Sequence, residues 1–140
     1  MKRPFTKVAE SLWGGLFNSS TDTYKCIILS STPSESNFDT WKYYSDVTNE
    51  STGTGYTAGG ATAAFTFTSD AATNSEQWTI GNINFGANVT ITGAGIAFYK
   101  STGTGSTSPL IDYYDLPISV TNTSLVVAPT GFSSIVATVS

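Results

Sequence analysis

Histidine is missing from this 140-residue chain altogether, and cysteine occurs once. Without an imidazole there is no Ser-His-Asp or Cys-His arrangement, and the commonest general acid–base at neutral pH is unavailable. Zinc and iron sites draw on histidine or on several thiolates, and the chain supplies neither, so no metal ligand and no cofactor is assigned from the sequence. Cys26 cannot form an internal disulfide. Its place in the apolar run Cys26-Ile27-Ile28-Leu29 fits a buried thiol in a strand better than a nucleophile. Charge is scarce too: charged residues make up 11%, less than half of the usual ~25%. Six residues are basic and the net charge is −4, which makes a poor electrostatic partner for nucleic acid. Three of the six, Lys2, Arg3 and Lys7, fall near the start and read as a solvated segment. No apolar stretch approaches the ~20 residues of a membrane span. Met1 to Phe17 does not read as a signal peptide, because Glu10, Gly14 and Gly15 interrupt it.

Serine and threonine take the place of the missing charge, at about 30% of the chain. Threonine is β-branched and suits a half-buried pleated surface, so the bias points to strands and turns. It also makes N-x-Ser/Thr triplets, such as those opened by Asn18, Asn49, Asn88 and Asn122, common by chance. Hydrophobic residues at 39% and aromatics at 13% are enough to build one core. A chain of this length fits a single domain that folds without disulfides or metals.

The pattern along the chain predicts a mainly β, antiparallel β-sandwich, jelly-roll-like, with a short N-terminal helix. Phe5, Val8, Leu12 and Trp13 fall near helical spacing and Gly14-Gly15 would end that helix, which gives a helical arm over residues 1–22 and a single β-sandwich domain over 23–140. Thr23 to Leu29 reads as a strand with a buried centre. Residues 30–40 read as a polar loop, with a short helical turn at Trp41-Lys42-Tyr43-Tyr44 capped by Asp39 or Thr40. Residues 51–60, STGTGYTAGG, are a loop or an irregular edge. Further strands are expected at Ala61–Ser69, Gln77–Ile80, Asn88–Lys100 (with a bulge at Gly93-Ala94-Gly95) and Leu110–Leu116, closed by Pro117. A hairpin of Ile118–Val120 and Ser124–Ala128 turns across Thr121-Asn122-Thr123, and Phe132–Val139 is the last strand. The pentapeptide STGTG recurs at 51–55 and 101–105 and reads as one turn used twice.

Among the ten acids, Asp112 and Asp115 lie three apart on a strand and so point to opposite faces, which does not make a carboxylate pair for glycoside hydrolysis. Nor do they have the dense acidic spacing of a calcium loop. No catalytic residue is assigned. The aromatic clusters Trp41-Tyr43-Tyr44 and Tyr113-Tyr114 fit core packing first, a protein interface second and a sugar platform third.

Two runs carry a resemblance. The first holds Tyr24-Lys-Cys-Ile-Ile-Leu29, Phe38-Asp-Thr-Trp-Lys-Tyr-Tyr-Ser-Asp-Val-Thr-Asn-Glu50 and Thr52-Gly-Thr-Gly-Tyr-Thr-Ala-Gly-Gly60. The second holds Gly95-Ile-Ala-Phe-Tyr-Lys100 and Thr102-Gly-Thr-Gly-Ser-Thr-Ser-Pro-Leu-Ile-Asp112. Together they resemble a group of small tailed-phage virion proteins, over roughly residues 8–120. The chain departs from that group at its more basic start and at its end, FSSIVATVS, where such proteins often carry a Trp-containing strand. The resemblance implies a non-enzymatic virion component made in the host cytoplasm, plausibly a capsid decoration (cement) protein on the major capsid protein shell. A homo-oligomer is expected, with a trimer favoured because shells offer three-fold sites. Phe5, Leu12, Trp13, Phe17, Trp41, Tyr43, Tyr44, Tyr113 and Tyr114 are the expected partner-interface residues, with residues 1–17 as the segment that binds the shell. The alternatives are a neck, tail or head-fibre component, or a glycan- or receptor-binding module.

Overall fold

The computed structural model describes residues 2–7, 21–70, 72, 75–128 and 133–138, with the backbone alone at 2, 67–70, 75–79 and 133–138. The chain is mainly β. Its elements are β1 (Lys2–Pro4), β2 (Thr23–Leu29), the helix α1 (Glu35–Thr40), a 3₁₀ turn at Tyr44–Asp46, β3 (Ala61–Ala63), β4 (Phe65–Asp70), β5 (Ser75–Ile80), β6 (Ile83–Ser101), a second 3₁₀ turn at Gly105–Thr107, β7 (Leu110–Val127) and β8 (Ser133–Thr138). One antiparallel sheet has the order β1-β7-β6-β2-β3, and a smaller one the order β4-β5-β8.

The start of the chain differs from the expected arm. Lys2–Pro4 pairs with β7, from Lys2 opposite Tyr114 to Pro4 opposite Asp112, and is an edge strand of the main sheet. Phe5 donates its N–H to Ile111 O, and Thr6 donates to Phe38 O. Phe5 is fully buried, so the gain from burying its ring there outweighs its helical spacing with Val8 and Leu12. The rest of the expected helix, residues 8–17, falls within 8–20 and lies outside the described residues.

β2 explains its own apolar run. Tyr24, Cys26 and Ile28 enter one core, with Ile96, Phe98, Ile111 and Tyr114. Ile27 and Leu29 enter a second core on the opposite face, with Phe5, Phe38, Trp41, Ala97, Tyr99, Leu110 and Tyr113. A strand buried on both faces loses the polar alternation of a half-exposed one. The second core is roofed by α1. Ser34 caps this helix: its Oγ accepts the Asn37 N–H, and Asn37 Oδ1 accepts the Ser34 N–H. The predicted loop over 30–40 is therefore a capped helical turn whose Phe38 ring lies 5.4 Å from Phe5 and 5.9 Å from Tyr113. The helical turn expected at 41–44 begins instead at Tyr44, because the Asp46 carboxylate accepts the N–H groups of both Lys42 and Tyr43.

β6 and β7 form one long hairpin, and here the structure departs again from expectation. β7 runs through Pro117 and through Thr121-Asn122-Thr123 without reversing. Between Gly93↔Ile118 and Gly95↔Asp115 it carries an extra residue, a bulge at Leu116-Pro117, where a missing N–H is tolerated. Asn122 has φ 47 and donates its N–H to Thr90 Oγ1. The flanking pairs Val89↔Thr123 and Ile91↔Val120 keep both sides of Asn122 on β6, with one extra residue in β7, so the left-handed residue bulges the strand and does not reverse it. The bulge expected near Gly93-Ala94-Gly95 thus sits opposite those glycines. The two STGTG copies also differ: Thr54 bridges Thr90 and Gly55 takes φ 78, whereas in the second copy Gly103 takes φ 88 in the hairpin loop.

Gly95 is required by packing. A Cβ there would stand 2.4 Å from both the Tyr113 hydroxyl and the Tyr114 carbonyl oxygen. Gly95→Ala is expected to lower the unfolding free energy by about 1–3 kcal/mol, as overpacked cores do. Urea unfolding of the two proteins side by side checks this, with Gly81→Ala, which meets only ordinary contacts, as the tolerated control.

Candidate interaction surface

The aromatic residues singled out by the sequence do not form one surface. Phe5, Trp41, Tyr113 and Tyr114 are core residues, at most 7% exposed. Phe5 and Trp41 stack at 6.3 Å on the α1 side, while Tyr114 meets Phe98 edge-on at 5.7 Å on the other face. In the single chain they therefore serve packing, the first of the roles expected of them, and offer a partner almost no area. Tyr43 and Tyr44 remain partly exposed beside the 102–109 loop, with Tyr44 N–H donating to Ser108 O. Leu12, Trp13 and Phe17 lie outside the described residues. Because Phe5 closes a core, deleting residues 1–17 would open that core as well as remove a terminal segment.

Tyr44 belongs, with Tyr56 and Tyr99, to a polar clasp that seats residues 51–60. The Glu50 carboxylate accepts Tyr44 OH at 2.6 Å, Tyr56 OH at 2.7 Å and Gly59 N–H at 2.8 Å. Tyr99 OH donates to Gly59 O, and its ring stacks on Tyr44 at 4.8 Å. Ser51 donates its N–H to Ile28 O and its hydroxyl to Thr92 O, and Thr90 N–H donates to Thr54 O. This segment therefore runs along the side of β6 where β2 has ended. It needs its glycines: a Cβ on Gly60, at φ 76, would fall 1.8 Å from Cys26 O.

The matching stretch of β7 has no such cover. β1 pairs only with Asp112, Tyr113 and Tyr114, and among the described residues no strand pairs with Leu116–Val127 on the side away from β6. Half of the N–H and C=O groups of an edge strand point outward unpaired. The stretch 116–128, LPISVTNTSLVVA, contains no charged residue. Its bulges bend it into a concavity of about 350 Å³ lined by Leu116, Pro117, Ile118, Val120, Leu125 and Val126 among others. Ile118, Leu125 and Val127 also belong to the core beneath, and Val126, 50% exposed, is the large apolar residue most open to solvent among those described. The uncharged composition of this stretch was readable in the sequence. Its openness was not, because it depends on β1 stopping at three residues.

Elsewhere the chemistry is sparse. Cys26 is fully buried, and desolvation pushes its thiol well above the ordinary value, as expected of a core cysteine. Asp112 is buried and accepts Tyr114 OH, while Asp115 is exposed, so the two do point to opposite faces. Among the described residues no three acids or thiols converge as metal ligands. No family model, curated protein or solved structure matches the chain.

Burial raises the Tyr24, Tyr44, Tyr56 and Tyr99 hydroxyls above the ordinary tyrosine value, Tyr99 to about 12. A phenol with a raised folded pKa binds its proton more tightly in the native state. Its contribution is full below the unfolded value of about 10 and is lost as pH rises through the folded one. Stability should therefore fall steadily above about pH 10. Urea midpoints followed alongside tyrosinate absorbance read this directly, and a flat midpoint through that window would contradict the burial of these rings.

Proposed function

We propose that this chain is a non-enzymatic structural component of a bacteriophage particle: a capsid decoration (cement) protein that binds the major capsid protein shell and associates with further copies of itself. The observation that carries the reading is the open, uncharged edge of β7. A protein that works alone ordinarily blunts or covers such an edge with charge, proline or another element. Here Pro117 and the bulge at Asn122 interrupt it, but Ile118–Thr121 and Thr123–Val127 are left with apolar and hydroxyl side chains and no lysine or glutamate to repel a neighbour. The resemblance of residues 24–60 and 95–112 to small virion proteins supplies the particle. Decoration proteins act by area, many weak contacts adding through multivalency.

In the same reading the small β4-β5-β8 sheet closes one face of a β-sandwich, entering the core through Phe65, whose ring lies 4.5 Å from Tyr24, and through Ile80. Oligomer order follows from what the β7 edge meets. Pairing with its own copy gives a two-fold, whereas meeting a different surface of the next copy closes a ring such as a trimer.

Quantitative mass spectrometry of purified particles tests the assignment. Hundreds of copies, in simple ratio to the shell protein, are expected; six, twelve or a few dozen would move the chain to the neck, tail or fibres, and absence from the particle would refute it. Val126→Lys is expected to weaken self-association at least about tenfold while leaving the fold intact, because the side chain it replaces is half exposed. Sedimentation of the two proteins over a concentration series reads that change, and a wild-type chain that stays monomeric throughout would remove self-association from the account.

A further inference from the structure

A second concavity lies away from the β7 edge and shares no residue with it. This open cleft of about 470 Å³ lies between residues 57–62 and 82–85. Thr57, Thr62, Asn82 and Asn84 stand on its rim, and Phe85, 8% exposed, contributes to its floor. From this lining we infer a binding site for a neutral saccharide.

Three features carry the inference. First, the lining residues are polar without being charged, and four hydroxyl and amide side chains offer both donors and acceptors. Second, those groups are uncommitted. Thr57, Thr62 and Asn82 side chains make no hydrogen bond among the described residues, and Asn84 uses its Oδ1 for the Gly86 N–H at 2.9 Å, which leaves its NH₂ to donate. Other polar side chains of the fold, such as Glu50, Ser51 and Ser108, are spent on internal bonds. Third, the walls are preformed. Gly59 is held from both sides by Glu50 and Tyr99. Gly60 donates to Thr57 O and lies directly against the Cys26 carbonyl. Gly81 donates to Ala64 O. A cleft that need not reorganise loses less on binding.

A sugar ring matches this lining, with hydroxyls for the Thr and Asn groups and C–H groups for the small apolar area that Ala61 and the edge of Phe85 contribute. An acyl chain would leave the four polar groups unpaired. Contact with a single ring in so open a site implies a dissociation constant on the order of millimolar. The site does not rest on the assembly reading, because all its lining residues belong to one chain and none to the β7 edge.

The test is a titration of the full-length isotope-labelled protein with cellobiose, maltose, lactose and the N-acetylglucosamine disaccharide, followed by amide chemical shifts, with sialyllactose and an uncharged tetrapeptide alongside. At least one neutral disaccharide is expected to give saturable shifts confined to residues 57–62 and 82–86. Thr62→Ala and Asn82→Ala, both at exposed positions, should each weaken that binding by about three- to tenfold, as loss of one hydrogen bond does. The inference is overturned if none of the four neutral disaccharides gives saturable shifts there, if sialyllactose or the peptide binds the cleft more tightly, or if both substitutions leave the affinity unchanged.

Discussion

A sheet that is dry on both faces must be covered twice, and β2 imposes that condition on the whole molecule. Its alternate residues feed two separate cores, so no face of the central sheet is left for solvent where β2, β6 and β7 run side by side. On one side the cover is made by α1, Phe5 and Trp41, and on the other by Tyr56, Phe65 and Ile80. Each covering segment brings its own backbone polar groups to the protein interior, and each is given partners there. Asp46 serves 42–43, the Ser34–Asn37 pair serves the start of α1, and Glu50 serves 56–59. With only 11% of its residues charged, the chain uses two of its ten acids, Asp46 and Glu50, to fasten covers to the sheet.

The same condition explains where the fold stops. Cover follows β6 beyond the end of β2, because 50–54 take over its place along the strand. Among the described residues it does not follow β7 beyond Asp112–Tyr114, because β1 is three residues long. The far part of the hairpin is thus protected on one side and open on the other. Side chains that complete the core from within, Ile118, Leu125 and Val127, stand next to Val120 and Val126, which extend the apolar surface outward. Under the proposed assembly role, a neighbouring chain in a particle would complete what β1 leaves unfinished.

Much of the fold was legible in the residues, and the misses share a cause. A buried apolar run, period-two alternation and β-branched content located β2, β4, β5 and most of β6. The errors arose where a local signal has two structural outcomes. Asn122 was read as a turn and is a bulge, and Pro117 was read as a stop and sits in a bulge. Ser34 to Asn37 was read as loop and is a capping box. STGTG has no conformation of its own: one copy is held by β6 and Glu50's clasp, the other by its own Thr and Ser hydroxyls, among them Thr102, Thr107 and Ser108. The aromatic clusters fitted core packing first, and adjacent aromatics on a sheet buried on both faces can all be core, as Tyr113 and Tyr114 are; the interface role also expected of them finds little area there. The cleft proposed to take a saccharide was invisible to sequence reasoning, since residues 57–62 reach 82–85 only because residues 53–55 run along Asn88–Ile91 of β6.

The central claim is that the β7 edge is an assembly surface rather than a finished boundary. Amide hydrogen exchange, read residue by residue on the dilute chain and on the chain bound to particles, tests it most directly. In the dilute chain the outward-facing amides within 118–127 should exchange quickly, while those of β2 are protected on both sides. In the assembled state the same β7 amides should become protected, with the change concentrated on that stretch. Protection of 118–127 that is already complete in the dilute chain, or that does not change on assembly, would contradict the account.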